Sequence, residues 1–105
     1  MNAHINLYLN TATLKNAHVI LNRLKKVIKF SVMDVSIYHK GGIKAELEAN
    51  IEAEKWPDIV FESIALAQNI GTSWTINASI YEELFMQSDS FHESGIEFGT
   101  FKVLD

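Results

Sequence analysis

Apolar and polar positions alternate with a period of two in several stretches of the chain and recur at helical spacing in two others. Residues 4–10 place Ile5, Leu7 and Leu9 against Asn6, Tyr8 and Asn10, which predicts a half-buried strand. Thr11 or Thr13 can cap the helix that follows. Leu14, Ala17, Leu21, Leu24 and Ile28, with Ile20 and Val27 beside them, fall on one helical face, opposite Lys15, Asn22, Arg23, Lys25, Lys26 and Lys29. A second strand is expected over 32–40, where Met33, Val35 and Ile37 alternate with Asp34, Ser36 and Tyr38. Lys40-Gly41-Gly42 is a turn signal, because glycine accepts positive φ.

The strictest alternation follows. Ile43, Ala45, Leu47, Ala49, Ile51 and Ala53 take every odd place, and Lys44, Glu46, Glu48, Asn50, Glu52 and Glu54 every even one. Leucine, alanine and glutamate favour helix. A helix, however, would scatter these residues around its axis, whereas a strand sorts them onto two faces. Pro57 and Asp58 suit the first turn of a second helix, with Val60, Ile64 and Ala67 as its stripe, Phe61 beside it and Gly71 as a C-terminal cap. Trp74, Ile76, Ala78 and Ile80 alternate with Thr75, Asn77, Ser79 and Tyr81 as a fourth strand. Residues 82–95 read as a polar, irregular loop, interrupted by Leu84, Phe85 and Phe91. A last strand is expected over 96–104, its parity shift placing a bulge near Gly99.

The expected order is β-α-β-β-α-β with an extra C-terminal strand, in one domain over 1–105. This is an α+β, ferredoxin-like two-layer sandwich with both helices on one sheet face. The extra strand could pair at an edge or continue the fourth strand as a hairpin.

Composition narrows the chemistry. The chain has 105 residues, 48% of them hydrophobic, enough for a core without covalent staples. It has no cysteine, which excludes disulfides, thiolate metal sites and a thiol nucleophile. The opening Met1-Asn2-Ala3-His4-Ile5 shows no basic region leading into an apolar run, and no apolar stretch is long enough to span a bilayer, so a cytoplasmic location without membrane contact is expected. A net charge of −4 disfavours direct nucleic-acid binding and suits a basic partner.

Strand parity predicts what an open sheet face would carry: Asn6, Tyr8, Asn10, Asp34, Ser36, Tyr38, Glu46, Glu48, Asn50, Glu52, Thr75, Asn77 and Ser79. Antiparallel sheets routinely carry a solvated polar face. Alternatively, the acidic strip and the tyrosines form a docking surface, since acidic charge speeds association with a basic partner and tyrosine is a common interface anchor. On that reading Tyr38, Glu46, Glu48 and Glu52 are the contacts, joined by Asp34, Glu82, Glu83 and Asp89. The basic face of the first helix points away, so the molecule should be dipolar.

Catalytic and metal signatures are absent from the sequence. His4, His18, His39 and His92 are not paired at ligand spacing, and HExxH, GxSxG and GxxxxGK[ST] patterns do not occur. No cofactor, metal or catalytic residue is expected. Carboxylates on an open sheet, or His39, leave a small enzyme as a rival reading.

One segment has a known look. Leu66-Ala67-Gln68-Asn69-Ile70-Gly71, running into Trp74-Thr75-Ile76, with Ser94-Gly95-Ile96 before the closing strand, resembles immunity proteins of bacterial contact-dependent growth inhibition systems. The resemblance covers about a quarter of the chain, and its motif is structural. It implies a cytoplasmic inhibitor that binds the C-terminal toxin domain of a cognate effector, a basic nuclease being the expected partner, in a 1:1 complex. The contact residues above come from strand parity and not from the resemblance. A homodimeric small-ligand or regulatory module is the alternative.

Overall fold

The computed structural model describes residues 1–78 and 83–104. The elements are β1 (Asn2–Leu9), α1 (Leu14–Leu24), β2 (Ser31–Ile37), β3 (Ile43–Asn50), α2 (Trp56–Ile70), β4 (Gly71–Thr72), β5 (Thr75–Ala78), β6 (Glu83–Ser88), β7 (Ser90–Phe91) and β8 (Ile96–Leu104). Six strands form an antiparallel sheet in the order β2-β3-β1-β8-β6-β5, and β4 pairs with β7 in a separate short ribbon. The fold is α+β.

The alternation read from the sequence sorts the sheet into two faces. Ala3, Ile5, Leu7 and Leu9 of β1 point to the same side as Ile43, Ala45, Leu47 and Ala49 of β3, Phe101 and Val103 of β8, and Leu84 and Met86 of β6; all are buried. Ala17, Ile20, Leu21 and Leu24 of α1, with Ile59, Ala67 and Ile70 of α2, complete that core. The strict period of two over 43–50 therefore prevails over helical propensity, because burying every odd residue outweighs a few tenths of a kcal/mol per residue of backbone preference.

Local signals explain the element ends. Thr13 caps α1, its hydroxyl accepting from the Asn16 N–H at 3.2 Å. The helix stops at Leu24, short of the expected Ile28, and tightens through Val27 N–H to Leu24 C=O at 2.9 Å; Ile28 still reaches the core. Gly41 and Gly42, both at positive φ, close the β2–β3 hairpin. Pro57 sits in the first turn of α2 and Asp58 near its positive end. β3 ends at Asn50, so Glu52 lies beyond the sheet. There Glu62 of α2 receives the backbone N–H groups of Glu52 at 2.8 Å and Ala53 at 3.1 Å.

Four expectations need correction. Residues 82–95 are not one irregular loop, since β6 lies inside the sheet and β7 pairs with β4. Leu84, Met86 and Ser88 do alternate inward, but Phe85 on the other face blurs the pattern. The fourth strand is the short edge strand β5; Ser79, Ile80 and Tyr81, assigned to it from the sequence, lie outside the described residues. The last strand is neither an edge nor a hairpin partner of β5. It fills the slot between β1 and β6, beside β1 where the six-element order would place the strand after α2.

The fourth correction concerns two glycines. The register shifts between Tyr8↔Phe98 and Leu9↔Ile96, which puts the bulge at Glu97 and not near Gly99. Gly99 faces the core instead, where a Cβ would come 2.5 Å from Phe91 Cζ and 2.9 Å from Leu7 Cδ2. Gly71 is the C-cap of α2, but its backbone is extended, at φ −169°, and not left-handed. A Cβ there would lie 2.7 Å from the Ser90 carbonyl oxygen. Both glycines make room for close approach.

Candidate docking surface

Both helices and the β4–β7 ribbon cover one face of the sheet, and the opposite face is open. Its rows follow from the register. Ser36, Lys44, Tyr8 and Phe98 form one; Asp34, Glu46, Asn6, Thr100, Gln87 and Thr75 the next; Ser31, Glu48, His4, Lys102, Phe85 and Asn77 a third. Strand parity had placed Asn6, Tyr8, Asp34, Ser36, Glu46, Glu48, Asn50, Thr75 and Asn77 on this face, and the register agrees for each.

The predicted contacts do not all converge. Asp34 lies directly across from Glu46, with Glu48 one row on, so these three acids share the β2–β3 side. Tyr38 follows β2 and packs edge-on to Tyr8, ring centroids 4.9 Å apart. Glu52 has left the strip. It borders a depression on the helix side, with Val27, Lys29 and Glu62. Glu83 is on the open face at its far corner, opposite Leu104. It stands three strands from β3, about 14 Å at ordinary strand spacing. Asp89 sits on the rim beside Thr75, Gln87 and Phe98, accepting the Ser90 hydroxyl at 3.1 Å. Glu82 lies outside the described residues.

The acidic strip is partly compensated. Lys44 Nζ is 3.2 Å from Glu46 Oε1, and His4 Nδ1 is 3.4 Å from Glu48 Oε1. The Lys44 ammonium titrates above its ordinary 10.5, first because Glu46 accepts its hydrogen bond; partial burial opposes this, and the neighbouring Tyr8, Glu46 and Tyr38 reinforce it. Lys15, Arg23, Lys25, Lys26 and Lys29 are exposed on the opposite layer, which also carries Asp58 and Glu62 of α2.

Parity alone missed the aromatic half of this surface. Phe98 had been grouped with inward Ile96, but the extra residue at Glu97 turns it outward, 5.7 Å from the Tyr8 ring. Phe85 joins from β6, across from Lys102. The parity shift in the last strand was the available signal for Phe98. Phe85 had none, lying in a stretch whose polar residues read as loop.

A second concavity, of about 510 Å³, separates α2 from β5 and β6 on the covered face. Ile64, Ala67, Trp74, Ile76 and Met86 supply its apolar walls, and Gln68, Thr72 and Ser73 its polar atoms. No titratable side chain is among the described residues that line it. The Leu66–Gly71 and Trp74–Ile76 segments meet beside it. Trp74 Nε1 donates to the Ala67 carbonyl at 2.9 Å, the Trp74 ring packs edge-on to Phe91, and the His92 N–H donates to Ile70 C=O at 3.0 Å. This segment is a joint between helix and ribbon.

Among the described residues no group of three or more histidines, aspartates or glutamates is placed to hold a metal ion, and no helix is long and apolar enough to cross a membrane. Comparison with protein-family models, curated proteins and solved structures finds no match to this chain.

Proposed function

We propose that this protein is an immunity protein, which binds and neutralises a cognate toxin domain, a nuclease with a basic cleft, in the bacterial cytoplasm. One observation carries the reading: the open sheet face joins the half-buried aromatic rings of Tyr8, Tyr38 and Phe98 to the acids Asp34, Glu46 and Glu48. Aromatic anchors supply binding energy, and acidic charge steers a cationic partner and competes with its phosphate substrate. The resemblance of the Leu66–Gly71 and Trp74–Ile76 segments to contact-dependent growth inhibition immunity proteins supplies the class of partner. In this reading the β1-α1-β2-β3 half is the split βαβ of a ferredoxin-like fold, and β5, β6 and β8 are an elaborated second half.

The test is capture with this chain as bait, then reconstitution with the recovered domain. The expected result is the C-terminal domain of a large secreted protein, inhibited in a 1:1 complex. The double charge reversal Glu46→Lys with Glu48→Lys should slow association at least tenfold and flatten its salt dependence. Unchanged kinetics in that variant would remove the open face as the interface. A captured domain that stays active would remove the immunity role.

The groove beside α2 favours a second reading, a homodimeric small-ligand module. Light scattering separates the two, because that module predicts a stable dimer in the absence of any partner.

A further inference from the structure

At one corner of the open face Tyr8, Tyr38, Phe98, Glu97, Lys40 and Gly41 border a shallow depression of about 350 Å³. The Tyr8 and Tyr38 planes are inclined at 67° and the Tyr8 and Phe98 planes at 45°, so the rings meet the depression at different angles. A single backbone feature makes the corner. The bulge at Glu97 brings that acidic residue into the lining and turns Phe98 out beside Tyr8.

We propose that this depression is the seat of one cationic side chain, an arginine of the partner protein, held against the tyrosine and phenylalanine rings with Glu97 as its counter-charge. The proposal deepens the docking reading above and rests on it. Aromatic faces carry negative potential and attract a guanidinium, which is flat, weakly hydrated and suited to stacking. Glu97 is the acid in the lining, and the Lys44–Glu46 pair beside Tyr8 compensates itself, so the attraction for a cation comes from the rings and Glu97. Lys40 is the opposing charge, on the hairpin turn. It gives the proposal a sign that can be tested.

The experiment uses the full chain and no partner. Ring and backbone NMR signals of Tyr8, Tyr38 and Phe98 are followed during titration with Nα-acetylarginine amide at constant ionic strength, with Nα-acetylleucine amide and inorganic phosphate in parallel. Saturable shifts confined to this corner are expected for the arginine probe alone. Tyr8→Leu and Glu97→Gln should each weaken binding about two- to fivefold, and Lys40→Gln should strengthen it by a similar factor. The two surface variants keep the test decisive if Tyr8→Leu does not fold.

Absence of shifts at these rings, an equal response to the leucine probe, or weaker arginine binding by Lys40→Gln would overturn the proposal. Shifts with phosphate in place of arginine would reassign the corner to an anion. A negative titration leaves the capture experiment standing, and a positive titration without any captured toxin domain sinks the functional reading alone.

Discussion

Replacing Gly71 separates two reasons for a glycine at a helix end. If it served as a left-handed cap, asparagine would be the best substitute and alanine a poorer one. The structure assigns the other reason. Gly71 is extended, a conformation open to any residue, and the obstacle is the Ser90 carbonyl oxygen 2.7 Å from where a Cβ would stand, with Phe91 Cδ1 at 3.3 Å. Relief requires the β4–β7 pair to move apart. That disturbs the bonds from the Ser88 hydroxyl to Thr72 C=O and from the His92 N–H to Ile70 C=O. Overpacking of this kind costs about 1–3 kcal/mol. For a domain of this size that lowers Tm by about 5–20 °C. Gly71→Ala should therefore destabilise, and Gly71→Asn, with more atoms to place, should do so at least as much. Thermal and urea unfolding of both variants are the assay. A neutral or stabilised alanine variant, the result when chain entropy alone is at stake, would refute the close-approach argument, as would asparagine outperforming alanine.

Two further outcomes follow from contacts already described. Glu62→Ala removes the acceptor of two backbone N–H groups and should cost about 1–3 kcal/mol in urea unfolding, with Glu62→Gln losing less because one acceptor oxygen remains. Equal stability of all three proteins would show that water replaces the carboxylate without loss. Lys44 binds its proton more tightly folded than unfolded, so its contribution is fully present below pH 10.5 and fades as pH rises through the higher folded value. The stability difference between the native chain and Lys44→Gln should be small, since both partners are partly exposed, and should shrink only above that pH. A difference that persists unchanged to about pH 12 would contradict the linkage.

Which parts of this structure were legible depended on how strictly one face was buried. Over 43–50 the core claims every second residue, so the period survives even in a helix-favouring composition. In β2, an edge strand, Met33 and Ile37 are 58% and 78% exposed. An extra residue between Val32 and Asp34 breaks the register there. The pattern located that strand without revealing how little of it is buried. β6 escaped notice because Phe85 stands on the open face, where a polar residue would have completed the alternation. The aromatic half of the candidate surface depends on the same limit. The position of one bulged residue decides which way Phe98 points, and parity located that bulge two residues too late. Glu52 was misplaced because alternation continued past Asn50 after the backbone had left the sheet.

The position of β8 has a consequence in time. Ile5 and Phe101 are neighbours in the sheet although nearly the whole chain separates them. On a ribosome adding about 5–20 residues per second, β1 waits on the order of 5–20 seconds for its second partner. Until then β1 and β6 both present unpaired backbone, and the corner formed by Tyr8 and Phe98 does not exist. The open face is thus completed by the last of its six strands to be made. Stopping translation within β8 would leave a chain with most of its helices and strands already made and no such corner.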